Sequence, residues 1–314
     1  MMHMLIFGHG YSAAALTPRL IQAGWTVSGT TRNDADRVAA SGARPLIWRG
    51  DEARLTEEIG HADAILISIA PEVMRGDPDR RNGPDKAETG IDPVLQQFRA
   101  ELRRAKPGWV GYLSSTNIYG DHGGDWVDED TPPRPATARG KARLDAEQAW
   151  SDLAHEAGWP LTIFRLAGIY GPDRGPLAKL RSGTARRIIK PGQVFSRIHV
   201  DDIAGVLVAS IDGAFPAEAA NHPLPVRVFN LCDDDPAPPD RSIEIAAEMA
   251  GLPVPPAETI DEAEMTPMAR SFYADSKRVR NDRMKSVLGY DLLYPDLEAG
   301  LRAILASEKS GDLG

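Results

Sequence analysis

Met4-Leu5-Ile6-Phe7-Gly8-His9-Gly10-Tyr11-Ser12-Ala13 opens the chain with an apolar run, a Gly-x-Gly-x-x-Ala spacing and the start of the amphipathic stretch Ser12–Ala23. The run reads as a buried strand and the stretch as a helix, so the glycines occupy a strand-to-helix turn. There Gly8 permits the tight turn, Gly10 leaves the backbone open to close approach, and small Ala13 lets helix pack on strand. A helix beginning at this point directs unpaired N–H groups, including those of Tyr11 and Ser12, and its positive dipole end outward, which suits a diphosphate.

Outward from this loop, short apolar runs alternate with longer amphipathic stretches. The strand candidates are Met4–Phe7, Thr26–Thr30, Arg44–Trp48, Ala64–Ser68, Trp109–Ser114, Leu161–Leu166 and Val226–Leu231. Helix patterns lie between them at Ser12–Ala23, Val94–Ala105, Gly140–Ala157 and Val200–Ile211. Ala64-Ile65-Leu66-Ile67 is apolar throughout, as expected of a parallel strand covered on both faces. The alternation predicts an α/β chain: a doubly wound parallel-sheet Rossmann fold with a smaller, mostly helical C-terminal domain of the substrate-binding type. Two segments break the rhythm: Arg75–Asp92, read as a surface loop, and the Pro/Asp-rich Asp233–Asp240. The expected division is a dinucleotide-binding domain of residues 1–172 and 197–235, and a substrate or cap domain of residues 173–196 and 236–314.

The end of the second strand tells the two nicotinamide dinucleotides apart. An NAD site carries an acid there for the ribose 2′-hydroxyl. Gly29-Thr30-Thr31-Arg32 has none, and Arg32 can pair bidentately with a 2′-phosphate. Thr31 and Arg32 therefore predict NADP; the competing reading is a solvated Arg32 and a site indifferent to the phosphate.

A formal net charge of −9 argues against a nucleic-acid or anionic-membrane binder. The start of the chain lacks the features of a signal peptide, and no apolar run approaches the roughly 20 residues that span a bilayer. Cys232 is the single cysteine, so no internal disulfide forms, and its apolar surroundings read as packing. These features predict a soluble, cytoplasmic protein.

Further motifs follow: Tyr112-Leu113-Ser114-Ser115-Thr116-Asn117-Ile118-Tyr119-Gly120, then Arg165-Leu166-Ala167-Gly168-Ile169-Tyr170-Gly171-Pro172, then Arg197-Ile198-His199-Val200-Asp201-Asp202. With the glycine loop, these resemble the extended short-chain dehydrogenase/reductase superfamily, the NAD(P)-dependent epimerase/dehydratase group, over essentially the whole chain. Lys277-Arg278-Val279-Arg280-Asn281, Leu288-Gly289-Tyr290 and Tyr294-Pro295 resemble its YeeZ-like atypical branch. The resemblance implies that Asp51 meets the adenine and that Ser68, Ala70 and Pro71 line the cofactor's ribose. It also implies that Ser115 hydrogen-bonds a substrate oxygen. For assembly it implies a homodimer through Val94–Ala105 and Gly140–Ala157.

In that family a Tyr-x-x-x-Lys pair moves the proton and holds the nicotinamide ribose. Glu147 sets the register here and puts Arg139 at the tyrosine's place and Arg143 at the lysine's. Arginine does not serve as an acid–base group near neutral pH. Arg143 can still hold a ribose, and Arg139 can clamp a substrate anion. Other proton-transfer candidates have bland readings: Tyr119 and Tyr170 as packing, His122 as solvated, His199 as a structural hydrogen-bonder, Asp128 and Glu129 as a turn. Arg181, Arg186, Arg187 and Lys190 read as an anion site or, more simply, a solvated face. Two functions are expected from this pattern. One is an NADP-dependent oxidoreductase or epimerase-like enzyme acting on a small polar or anionic molecule; the other is a non-catalytic NADP(H)-binding redox sensor or scaffold.

Overall fold

A computed structural model of the 314-residue chain describes residues 1–73, 90–214, 226–266, 270 and 272–311. Of the surface loop expected at Arg75–Asp92, residues 75–89 lie outside the described residues.

Seven strands form the main sheet: β1 (His3–Phe7), β2 (Thr26–Thr31), β3 (Arg44–Ile47), β4 (Ala64–Ile67), β5 (Trp109–Ser115), β6 (Leu161–Leu166) and β7 (Arg227–Leu231). Their order is β7-β6-β5-β4-β1-β2-β3, the doubly wound arrangement that the alternating pattern predicts. The pairs β1–β2, β1–β4, β2–β3 and β4–β5 are all parallel. The winding reverses between β1 and β4, the switch point outside whose C-terminal strand ends ligands bind in such sheets. Helices α1 (Tyr11–Gln22), α2 (Ala35–Ala40), α3 (Glu52–His61), α4 (Pro93–Arg104) and α5 (Ala138–Ala157) connect the strands.

The chain divides into two compact units. The first comprises Met1–Ile118, Pro135–Arg165 and Ala204–Phe229. In it Met4–Phe7 of β1 and all four residues of β4 are fully buried, as their unbroken apolar runs require. Phe7, Trp48 and Phe98 pack as an aromatic cluster with ring centroids 6.0–6.2 Å apart, joined by Ile65, Ile67 and Val110. Each such side chain stabilises the fold by about 1.5–3 kcal/mol on burial. The start of α4 is fixed by Asp92, whose Oδ1 accepts the N–H groups of Val94 and Leu95 while Oδ2 accepts the Trp150 indole N–H at 3.0 Å.

The second unit comprises Tyr119–Arg134, Leu166–Ile203 and Asn230–Gly314. It holds short paired strands and the helices Pro176–Arg181, Pro239–Ala250, Asp282–Leu288 and Leu297–Gly311, with a core that includes Tyr170, Leu177, Ala246 and Leu301. No helix among the described residues is long and apolar enough to cross a membrane.

Candidate functional site

The glycine loop after β1 is set by β2. The Gly8 N–H donates to Thr30 Oγ1 at 2.7 Å and the His9 N–H to the Thr30 carbonyl at 2.8 Å. Gly8 has φ +88°, and a Cβ there would lie 2.7 Å from the Ile69 side chain and 2.9 Å from its backbone nitrogen. Only glycine fits that turn. At Gly10 a Cβ would meet only the Gly8 carbonyl, at 3.9 Å, so the backbone there is unhindered. Gly10 is also the N-cap of α1 and no side chain caps the helix. Buried Ser12 and Ala13 follow, with Ala13 fully enclosed. The residues present thus fit a dinucleotide: an open glycine surface beside an uncapped helix N-terminus is a cradle for a diphosphate.

His9, the residue between the two glycines, points inward. Its ring is 1% exposed, and Nε2 lies 2.8 Å from Thr17 Oγ1. Burial, reinforced by the positive charge of Arg37, lowers its pKa to about 4. The ring also explains Gly29, where a Cβ would come within 2.5 Å of it. On the neighbouring strand ends, Thr31 is nearly buried, and Arg32 is exposed with no hydrogen-bond or ion-pair partner among the described residues. After β3, Asp51 Oδ2 accepts the Ile47 N–H at 2.7 Å, leaving Oδ1 the freer oxygen. After β4, the N–H groups of Ser68 and Ile69 both donate to the Phe7 carbonyl, which turns the chain outward to Ala70 and Pro71.

Ser115 ends β5 half-buried, its Oγ accepting the Asn117 N–H at 3.2 Å. Gly140 brings α5 against this turn, because a Cβ there would lie 2.9 Å from Pro135 and 3.0 Å from the Asn117 carbonyl. Thr137 caps the helix by accepting the Gly140 N–H. One turn on, Arg143 donates to the Leu113 carbonyl at 2.6 Å and to the Tyr112 hydroxyl at 3.3 Å. One edge of its guanidinium is therefore committed to β5. Tyr112 itself is fully buried, and desolvation drives its phenol pKa upward. Arg139 is exposed and has no partner among the described residues. The sequence-selected residues Gly8, Gly10, Thr31, Arg32, Asp51, Ser68 and Ser115 thus all stand at C-terminal strand ends of the sheet, with Arg143 tied to the strand that carries Ser115.

The remaining proton-transfer candidates are committed to protein partners. Buried Tyr119 donates to Asn230 Oδ1 at 2.7 Å, and Tyr170 to the Asp296 carbonyl at 3.2 Å. The His199 ring lies 5.1 Å from Tyr170 and 4.2 Å from Tyr294, and its Nδ1 accepts the Asp201 N–H. His122, read as solvated, is half-buried with Nε2 3.1 Å from the Tyr119 carbonyl. Asp128 does close a turn with Thr131, whereas the Glu129 side chain is 3% exposed and accepts the Asn230 N–H. Arg181, Arg186 and Arg187 pair with Glu308, Glu258 and Glu244, and Lys190 donates to the Tyr273 carbonyl. Those pairings give each member of the basic cluster a protein partner. Cys232 is buried against the Val279 carbonyl, and desolvation pushes its thiol pKa well up.

Thr30, His9 and Arg37 escaped the sequence reading. The first is 22 residues from its partner in the loop and the last 28, so no local spacing marks them.

The structure resembles a conserved protein of unknown function from Silicibacter pomeroyi, with 48% identity, a TM-score of 0.82 and coverage of 98% of this chain and 99% of that one. It also resembles UDP-glucuronic acid 4-epimerase from Bacillus cereus in complex with NAD, at 17% identity and TM-score 0.74, covering 98% and 97%. UDP-N-acetylglucosamine 4-epimerase from the same organism matches at 12% identity and TM-score 0.67, covering 98% and 100%. At such identities the two epimerases share the fold alone. No curated protein matches significantly. The model of the NAD dependent epimerase/dehydratase family matches residues 4–221, a span that contains the glycine loop, Ser115 and both arginines of α5. The seven-stranded doubly wound sheet, the loop built on Gly8 and Gly10 and this match agree, and the chain belongs to the NAD-dependent epimerase/dehydratase family.

Proposed function

We propose that this protein binds NADP(H) and acts as an oxidoreductase or epimerase-like enzyme on a small polar or anionic substrate. The observation that carries the reading is Arg32, after the strand that holds the glycine loop, an exposed guanidinium with no protein partner among the described residues. A 2′-phosphate supplies the bidentate partner that Arg32 lacks. When bound, the nicotinamide supplies hydride acceptance and donation. Ser115 Oγ donates to a substrate oxygen, and Arg143 holds the nicotinamide ribose with the guanidinium edge turned away from Leu113. Arg139 clamps a substrate carboxylate or phosphate. Calorimetric titration with NADP+, NADPH and NAD+ tests the cofactor, with Arg32→Ala as control. Tight NADP(H) binding lost in Arg32→Ala supports the reading; absence of binding by wild-type protein overturns it.

A second reading is favoured by Arg139 itself. A guanidinium stands where the family places its proton-moving tyrosine, and it stays charged near neutral pH. On that reading the protein is a non-catalytic NADP(H) sensor or scaffold. Ser115→Ala separates the two: loss of turnover on sugar, sugar-nucleotide or hydroxy-acid substrates belongs to the enzyme. No turnover in the wild type, with partner association that differs between NADP+ and NADPH, belongs to the sensor.

A further inference from the structure

Arg37 joins two parts of the cofactor site that sequence keeps apart. Its Nη2 donates to the His9 carbonyl, between the two loop glycines, at 2.7 Å. Its Nε donates to Asp34 Oδ2 at 3.0 Å, and its backbone N–H to Asp34 Oδ1 at 3.1 Å. Asp34 in turn is folded back on the end of β2, donating its N–H to Thr31 Oγ1 at 3.2 Å. A carboxylate therefore follows the strand end where a ribose 2′ substituent is read, half exposed, and one guanidinium is paired with it.

This placement bears on cofactor choice. A bare Asp34 would repel a 2′-phosphate and accept a hydrogen bond from a 2′-hydroxyl, the property of an NAD site. Paired with Arg37, its charge is offset, and Arg32 acts on the phosphate without opposition. We infer that Arg37 is a specificity-determining residue: by pairing with Asp34 and offsetting its charge it sets the preference for NADP over NAD. The inference rests on the NADP reading above and goes further, assigning the preference to a pair, Asp34 and Arg37, rather than to Arg32 alone.

The test is a thermodynamic cycle on the full chain, titrated by calorimetry with NADP+ and NAD+. The readout is the ratio of the two dissociation constants. Loosening of the glycine loop weakens both cofactors through their shared diphosphate and cancels in that ratio. Arg37→Ala is expected to cut the NADP preference about tenfold. Asp34→Asn in the Arg37→Ala background is expected to restore it, and Arg37→Lys, which keeps the charge beside Asp34, to retain it within about twofold. An equal loss for both cofactors in Arg37→Ala overturns the inference and leaves Arg37 as a loop brace. So does failure of Asp34→Asn to restore the preference, or its collapse in Arg37→Lys. A wild-type protein without NADP preference removes the underlying reading first, before any variant is compared.

Discussion

Glu147 of α5 grips Arg165 of β6 inside the first unit: Oε2 lies 2.8 Å from Nη2, and Nε reaches both carboxylate oxygens at 3.2 and 3.3 Å. Both side chains are less than a tenth exposed. The pair fixes how far α5 is advanced along the sheet, and with it the positions of Arg143 and Arg139, one and two turns earlier. Removing one partner leaves the other charge buried without its counter-charge, so Glu147→Leu or Arg165→Met should each destabilise the protein by about 3–5 kcal/mol. The double replacement should recover most of that loss, because an apolar pair of similar size needs no solvation. Urea unfolding of the three variants measures both effects; a double variant as unstable as the singles would contradict them.

The buried ring of His9 predicts an acid-sensitive cofactor loop. Its pKa is depressed from 6.5 to about 4, so the unfolded chain binds a proton that the folded chain refuses over that interval. The contribution is fully present above pH 6.5 and is lost as pH falls toward 4. Over that window it amounts to about 3 kcal/mol. Melting temperatures measured from pH 7.5 to 4 should fall more steeply for the wild type than for His9→Gln, which has no ring to protonate. Parallel curves would show that His9 titrates normally.

Asp233 carries the opposite sign. Its side chain is 2% exposed, and neither oxygen has a hydrogen-bond partner among the described residues. Nearby Arg197 is turned to the carbonyls of Phe195, Ala237 and Pro238. Desolvation raises the Asp233 pKa to about 8, with the Arg197 charge opposing it. The folded state then keeps a proton that the unfolded chain releases near pH 4. Stability is highest below that value and declines as pH rises to about 8, by a few kcal/mol. Asp233→Asn should melt with the wild type below about pH 4 and clearly above it at pH 9. Equal melting temperatures at pH 9 would mean that an unseen partner stabilises the carboxylate.

What could be read from sequence followed from periodicity. The runs Met4–Phe7 and Ala64–Ile67 gave themselves away as doubly covered strands, and glycines between strand and helix marked the loop. The distance from Glu147 places Arg143 on its helix, and the observed bond to Leu113 ties it to the strand of Ser115. Contacts between distant segments had no such signal. Arg37 carries no local motif, although it holds the His9 carbonyl. Arg186 and Arg187 looked like a free basic face because Glu258 and Glu244 lie 72 and 57 residues away.

The two arginines of α5 should separate cleanly in binding experiments. Arg143 is held against β5 by Leu113 and Tyr112, whereas Arg139 lies exposed at the start of the helix. If Arg143 holds the nicotinamide ribose, Arg143→Met should weaken NADP+ about tenfold or more, the size of one charge-assisted hydrogen bond. The same variant should bind adenosine 2′,5′-bisphosphate, which lacks that ribose, as the wild type does. Arg139→Met should leave both affinities within about twofold, since the proposed role assigns it to substrate rather than cofactor. With a substrate in hand, Arg139→Met should raise KM for the anionic form and leave its neutral ester unaffected. Equal weakening of NADP+ and the bisphosphate in Arg143→Met would place its effect on the shape of β5 instead. An Arg139→Met that loses NADP+ would move that guanidinium from the substrate to the cofactor.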